Sequence, residues 1–476
     1  MNETRTAAAL TAVLGALAVT RDVRAAGLYV SDRGVRPLGR GGAFVAGADD
    51  LGAIWYNPAG IVEAPSSIIA DSSWVFYSDQ YSRQSLATSA TGTTYVQSFP
   101  AVKGTTPFLP IPTIAGSLRF GPEHQYAVAL GLYAPYSALL DYPERIASGP
   151  SPQRYSLVSL NGSLLSVLGA WFSYKPIDAI RVGVGVQMLT GFLQTSATFS
   201  ACPPDNLFCA SEDPSYDAFS QVKAGPIFAP SANAGVIVIP AKAVRIGLSG
   251  QAPFVIDAPA TVDVRLPNAV EFDGATQHGN RANLRMDLPP VVRVGVEIRP
   301  HDGEDDVRIE AAYVRELWSV QRSLDITPEN IQLYNVTSLP SPFGVAPISI
   351  PRGMQDSNSF RLGAEIKSEV MSVKYEARAG VSYETSAVPQ AYVSPFTVDS
   401  SKVTASLGGS LLLDKHWRLD DVVSHSFAGD VTVTPQEAAV PRINPVKGNP
   451  TQTAAVNGGT YSASSWVFGV GLEYRF

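Results

Sequence analysis

From about residue 65 to the end, the chain alternates apolar and polar side chains with a period of two. In the final stretch, Trp466, Phe468, Val470, Leu472, Tyr474 and Phe476 fall on one face, against Val467, Gly469, Gly471, Glu473 and Arg475 on the other. Val292, Val294, Val296 and Ile298 alternate with Arg293, Gly295, Glu297 and Arg299, and Phe360, Leu362, Ala364 and Ile366 with Arg361, Gly363, Glu365 and Lys367. Helical spacing would mix these sets, whereas a pleated strand separates them. A soluble sandwich also alternates, with its apolar face inward. Two features favour the opposite sense. The polar face carries Arg and Glu together with Gly, which suits a crowded, charge-paired lumen. The apolar face carries aromatics near strand ends (Tyr174, Tyr375, Tyr383, Trp466, Tyr474, Phe476), as an interfacial girdle requires. In lipid an unpaired sheet edge is too costly, so such a sheet must close on itself. The predicted fold is all-β, a transmembrane antiparallel barrel.

Connection lengths set the topology. Short turns are expected at Gly121–Gln125, Lys175–Ala179, Pro240–Ala243, Pro300–Asp306, Lys367–Val370 and Leu413–His416. Long connections are expected at Asp79–Pro110, Tyr136–Arg154, Ser200–Gly225, Ala258–Leu284, Thr327–Asp356, Ser386–Ser401 and Thr434–Thr460. The two kinds alternate strictly, and joining them takes about fourteen strands, an even number as bacterial barrels need. Short turns belong to the periplasmic side and long loops to the outside. The barrel is assigned to residues 65–476. Its closing strand ends on Phe476, a terminal aromatic resembling the signal that outer-membrane assembly machinery recognises; an ordinary edge strand is the plainer reading.

Composition narrows the classes further. Lys and Arg number 35 against 42 Asp and Glu, a net charge of −7, and charged residues make up only 16% of the chain. That low charge, with 19 Tyr and 19 Phe, excludes intrinsic disorder. The acidic balance without a Lys/Arg block argues against nucleic acid as a partner. A helical membrane bundle needs runs of about 20 apolar residues, which only Thr6–Thr20 approaches. That run, after Arg5 and before Val23-Arg24-Ala25, predicts a signal peptide over residues 1–25; a short buried helix is the alternative. Export permits disulfides. The two cysteines, Cys202 and Cys209, are spaced for a small disulfide-closed loop, and no further ligands stand nearby for a metal.

Residues 26–64 have a different texture, rich in Gly and without the two-residue period. Irregular backbone at membrane depth is tolerated only inside protein or against water. A plug in the barrel lumen is therefore expected. Within it Ala26-Gly27-Leu28, Gly39-Arg40-Gly41-Gly42-Ala43, Ala48-Asp49-Asp50 and Asn57-Pro58-Ala59-Gly60 follow at short intervals. This order resembles the FadL family, outer-membrane transporters of long-chain fatty acids and other hydrophobic compounds. The motifs cover about the first sixty residues, and beyond them the resemblance is one of architecture. It implies a hatch containing Asn57, Pro58 and Ala59 inside a fourteen-stranded barrel, an apolar capture groove among external loops, and a tighter site beside the hatch, near which Leu28 would meet ligand. It also implies passive uptake in the bacterial outer membrane, with a hatch rearrangement opening a sideways exit. Asn-Pro has a simpler reading as a common turn starter, and either reading makes it a rigid corner rather than a catalyst.

An oily cargo needs a continuous apolar path, because exposing apolar surface to water costs about 25 cal/mol per Å². External loops should then carry exposed grease. Candidates are Leu207, Phe208, Ile227 and Phe228, with Phe99, Phe108, Leu109 and Ile111 in the first loop and Phe343, Val345, Ile348 and Ile350 in the fifth. A lid of mutually packed loops is the other reading. The expected partners are a long-chain fatty acid or other hydrophobic small molecule, outer-membrane lipid, and the assembly machinery acting on Phe476; a monomer is expected. No cofactor or metal is expected. Asp302-Gly303-Glu304-Asp305-Asp306 lacks the spacing of a Ca²⁺ loop, and Gly39-Arg40-Gly41-Gly42 lacks the βαβ context of a nucleotide loop. A general diffusion porin is the rival function. An outer-membrane lipid hydrolase is a further one, but His425 between Ser424 and Ser426 points away from both, and no nucleophile–base pair is discernible.

Overall fold

The computed structural model describes residues 32–476 except 90, 107, 109, 135–139, 204–211, 302–305, 338, 371–372 and 447–451. The expected signal peptide and Leu28 thus lie outside the described residues, as do Leu109, Leu207, Phe208 and Cys209. Fourteen antiparallel strands form a closed barrel. The first seven are β1 (Ser67–Thr88), β2 (Pro110–Phe120), β3 (Tyr126–Tyr133), β4 (Leu164–Ile177), β5 (Ile180–Ser200), β6 (Asp217–Ala241) and β7 (Val244–Gln251 continued by Phe254–Arg265). They are followed by β8 (Arg281–Leu288 continued by Val291–Ile298), β9 (Val307–Glu316 continued by Ser323–Pro328), β10 (Ser357–Val370), β11 (Val373–Glu384), β12 (Lys402–Leu412), β13 (Trp417–Ala428) and β14 (Gly459–Arg475). Each pairs with its sequence neighbour, and β1 pairs with β14 from Ser67 opposite Arg475 to Arg83 opposite Gly459, so no edge remains.

Several boundaries differ from the sequence expectation: β6 begins at Asp217, inside the expected connection Ser200–Gly225, β7 runs to Arg265, past Ala258, and β4 begins only at Leu164, after Arg154. The turn between β10 and β11 falls beyond Lys367–Val370, because the ladder runs on until Val370 faces Val373. The first long connection begins later than Asp79: β1 continues to Thr88, with Thr94–Ser98 and Val102–Thr105 folding back to pair with its upper part. A spanning strand needs only about 9–11 residues. The 22 residues of β1 and 25 of β6 therefore carry the wall well above the membrane.

In the lower wall the predicted sense holds. Val292, Val294, Val296 and Ile298 are exposed to the membrane side, while Arg293, Glu297 and Arg299 are buried inside. Aromatics ring both ends of this band. Near the short turns Tyr126 stacks on Tyr174, and Trp417 packs tilted against Tyr474. Toward the loops Phe76 meets Phe108 and Phe468.

The lumen is filled by residues 33–64, of which only Asp49 and Glu63 are less than fully buried. The segment is two short helices, α1 (Val35–Gly39) and α2 (Ala53–Tyr56), and a 3₁₀ turn, Pro58–Glu63. Wall glycines make room for it. A Cβ on Gly183 would lie 2.3 Å from the Pro58 carbonyl carbon, and one on Gly380 2.2 Å from that of Arg40. This explains why Gly recurs on the inward face of strands, where it otherwise weakens a sheet.

Candidate functional site

The plug is held mainly by charge. Arg36 on α1 forms a two-bond contact with Glu365 of β10 (3.0 and 2.8 Å) and also reaches Asp49 and Asp50. Arg308 of β9 bridges Asp49 (2.7 Å), Glu297 (3.0 Å) and Glu365 (3.3 Å). Arg418 of β13 reaches Asp50 (3.3 Å), Asp420 and Glu473. Glu310 of β9 accepts hydrogen bonds from three consecutive plug amides, Val45 (2.6 Å), Ala46 (2.9 Å) and Gly47 (2.9 Å), and from Arg40 (3.2 Å). At the lower end Glu63 pairs with Arg181 and Arg245. Buried charges persist only when paired and hydrogen-bonded, and here the partners lie half on the plug and half on the wall. The network therefore stitches the two together.

Asn57, Pro58 and Ala59 sit against β4–β6. The Asn57 side chain accepts from the Ala59 amide (3.1 Å), capping the 3₁₀ turn, and donates to the carbonyls of Val45 (2.8 Å) and Val236 (3.2 Å). Pro58 holds the residue before it in extended backbone, φ −160° and ψ 102°. Ser173 of β4 donates to the Ala59 carbonyl (3.0 Å). The corner is rigid, and it also ties the plug to the wall.

Above the plug the interior changes character. On β7 the inward set shifts from Arg245, Ser249 and Gln251 to Phe254, Ile256, Ala258, Ala260 and Val262, a one-residue change of face at Ala252-Pro253. On β8 it shifts at Pro289-Pro290, from Arg293 and Glu297 below to Leu284, Met286 and Leu288 above. β6 shifts at Gly225-Pro226. Proline has no amide hydrogen to give the ladder, so such steps collect at prolines. β9 is broken at a similar level by a turn through Trp318–Val320. Below these steps charges face inward and apolar residues meet lipid. Above them the apolar residues face inward, while Asp257, Asp263, Arg281 and Arg285 face out. One apolar cluster runs from α2 (Ile54, Trp55) through Trp171, Phe254 and Leu284 to Ile348 and Phe396. Near its top a groove enclosing about 580 Å³ of atom-free space, part of it open to solvent, is lined by Phe199, Val262, Phe272, Ile326, Leu333 and Val345, among others.

A family model described as outer membrane protein transport protein (OMPP1/FadL/TodX) matches residues 16–476. The chain belongs to the FadL/TodX family. Its members are passive outer-membrane transporters of hydrophobic compounds, not enzymes. Among solved structures, this FadL/TodX chain resembles a Pseudomonas aeruginosa FadL homologue at 16% identity and a TM-score of 0.70, covering 94% of this chain and 100% of that one. The Pseudomonas putida toluene transporter TodX follows at 14% identity and 0.61 (93% and 98% covered), and the Ralstonia pickettii toluene transporter TbuX at 16% and 0.54 (93% and 98%). At such identities these show the shared fold. No curated protein matches the chain.

The structure places the other predicted site residues as follows. Ile227 faces the apolar interior of β6 and is 1% exposed, whereas its neighbour Phe228 points out of the barrel at 67%. The two cannot line one groove, because successive strand residues take opposite faces. Phe108 likewise joins the outer aromatic belt, stacked on Trp74, while Ile111 faces inward. Val345 and Ile348 do line the groove. Cys202 is disulfide-bonded. Sequence reasoning missed Phe199, Val262, Phe272 and Ile326, because it gave the whole barrel a single sense of alternation. The change of sense at Ala252-Pro253 and Pro289-Pro290 was the available signal.

Proposed function

We propose that this chain takes up long-chain fatty acids or similar hydrophobic compounds by passive, hatch-gated diffusion. One observation carries the reading: a single lumen is apolar above and sealed below by a charge-latched plug. Cargo enters the loop groove and descends along the apolar cluster to Trp55, meeting no layer of water at which its apolar surface would be re-exposed. The charged layer below does not suit an oily molecule, so the cargo leaves sideways. The ladder between β6 and β7 offers the place. It is registered at Ala224 opposite Ala260 and again at Asn233 opposite Gln251, with an interruption between them that includes Pro253 and Pro259. The terminal Phe476, exposed beside Tyr474, supports recognition by the assembly machinery. A diffusion porin would need an open aqueous lumen, which the buried plug denies.

The test is a paired measurement on the purified protein in lipid. Planar bilayers should show little ion conductance, while liposomes should accumulate a fluorescent fatty acid faster than protein-free controls. High steady conductance, or no acceleration of uptake, would refute the proposal.

A further inference from the structure

The loop groove is apolar with two exceptions. Among the described residues that line it none is charged, and only Ser220 and Gln277 carry polar side chains. Ser220 faces inward from the upper part of β6, in step with Ala218 and Val222. Its backbone is held on both sides, registered opposite Ala197 of β5 and Val264 of β7. The residue is 1% exposed, yet its hydroxyl oxygen has no hydrogen-bond partner among the described residues. A buried hydroxyl left unpaired is costly, and an alanine of nearly the same shape would avoid that cost.

Gln277 lies in the short strand Thr276–His278, opposite Leu333. Its Nε2 donates to the carbonyls of Val262 (3.0 Å) and Gly279 (2.9 Å). Both amide hydrogens are thereby used, and because each partner is an acceptor the amide cannot be turned over. Oε1 is thus fixed in place, and it can only accept. Ser220 Oγ can donate or accept. A hydrocarbon satisfies neither atom. A carboxylate, which only accepts, can take the Ser220 proton but has nothing to give Gln277. A hydroxyl suits both. A site built to hydrogen-bond a hydroxyl discriminates against an analogue without one, because its own buried polar groups are then left unpaired.

We propose that the groove selects an uncharged apolar compound bearing a hydroxyl, such as a long-chain alcohol, with Ser220 and Gln277 as its two hydrogen-bonding points. This rests on the transport reading above and names the cargo class that the groove holds most tightly. The enclosed space of about 580 Å³ is of the size that small-molecule sites have.

The test titrates dodecanol, dodecane and laurate, which share a chain length, against the full-length protein held in amphipol, so that no detergent tail competes for the groove. Ser220→Ala should weaken dodecanol about 3- to 10-fold, as expected for one buried hydrogen bond, and leave dodecane unchanged. Ser220→Thr, which keeps the hydroxyl, should retain most of the wild-type affinity for dodecanol. Gln277→Leu should weaken dodecanol but not laurate at neutral pH. Undiminished dodecanol binding by Ser220→Ala, or equal losses of dodecanol and dodecane, would overturn the assignment while leaving transport of oily cargo standing. Equal losses of dodecanol and laurate in Gln277→Leu would overturn the two-point recognition. Failure of all three probes to bind wild type would overturn the transport reading as well. Thermal unfolding separates a structural role: Ser220→Ala should unfold at the wild-type temperature or above it, and a lower temperature would assign the hydroxyl to the fold and overturn the proposal.

Discussion

Glu310→Ala tests whether charge latches the plug. Glu310 receives three plug amides, at Val45, Ala46 and Gly47, and one Arg40 nitrogen. Arg40 keeps its bond to Glu297 at 2.9 Å, so the substitution does not strand that charge. It does strand three buried amides. Hydrogen bonds to a charged acceptor contribute roughly 1.5–3 kcal/mol each, and an unmet buried donor costs about 1–3 kcal/mol. Allowing for water to occupy part of the vacated space, about 3 kcal/mol is a conservative loss for the three amides together. That shifts the balance between seated and displaced plug by roughly 100-fold, since about 1.4 kcal/mol corresponds to a factor of ten. The assay is bilayer conductance with amide hydrogen exchange over residues 45–47. Open events should become about 100 times more frequent, and the three amides should lose protection by a similar factor. Glu310→Gln, which keeps an acceptor oxygen, should fall between. A variant as tight and as protected as wild type would mean that shape, not charge, retains the plug, and the electrostatic reasoning would fail.

Other expectations follow from the same geometry. Gly183→Val places a side chain where the Pro58 carbonyl carbon stands, 2.3 Å from the new Cβ; it should lower folding yield in the intact chain but not in a barrel lacking residues 33–62, and equal yields in both backgrounds would exclude the clash as the cause. Ile326→Asp in the loop groove should cut capture of a fluorescent fatty acid at least about tenfold through a buried unpaired charge, with conductance unchanged; wild-type capture would remove the groove from the path. Val294→Arg on the lipid face, near the middle of its strand, should cost about 2–4 kcal/mol of barrel stability in bilayers, read as a lower denaturant midpoint, and an unchanged midpoint would contradict the outward assignment of that face.

The alternation of Val292–Ile298 and of Phe360–Lys367 determined strands, and the Arg, Glu and Gly of the polar face with the aromatics near strand ends determined that the apolar face turns outward, because a charged face must be paired away from lipid. The plug was legible for the converse reason: Gly-rich, non-alternating backbone before a lipid-facing wall has nowhere to go except the lumen. The charge-bearing residues were equally visible, but not their pairing, since Arg40 meets Glu310 across 270 positions of chain. At Pro253 and Pro289-Pro290 the sequence shows a one-residue step in the alternation, but which face then turned to the lumen required the tertiary structure, because the local pattern on either side of the step is the same. Whether a greasy residue faces the interior of the barrel or its outside, as Ile227 and Phe228 illustrate, is therefore decided by the wall around it and not by its own chemistry.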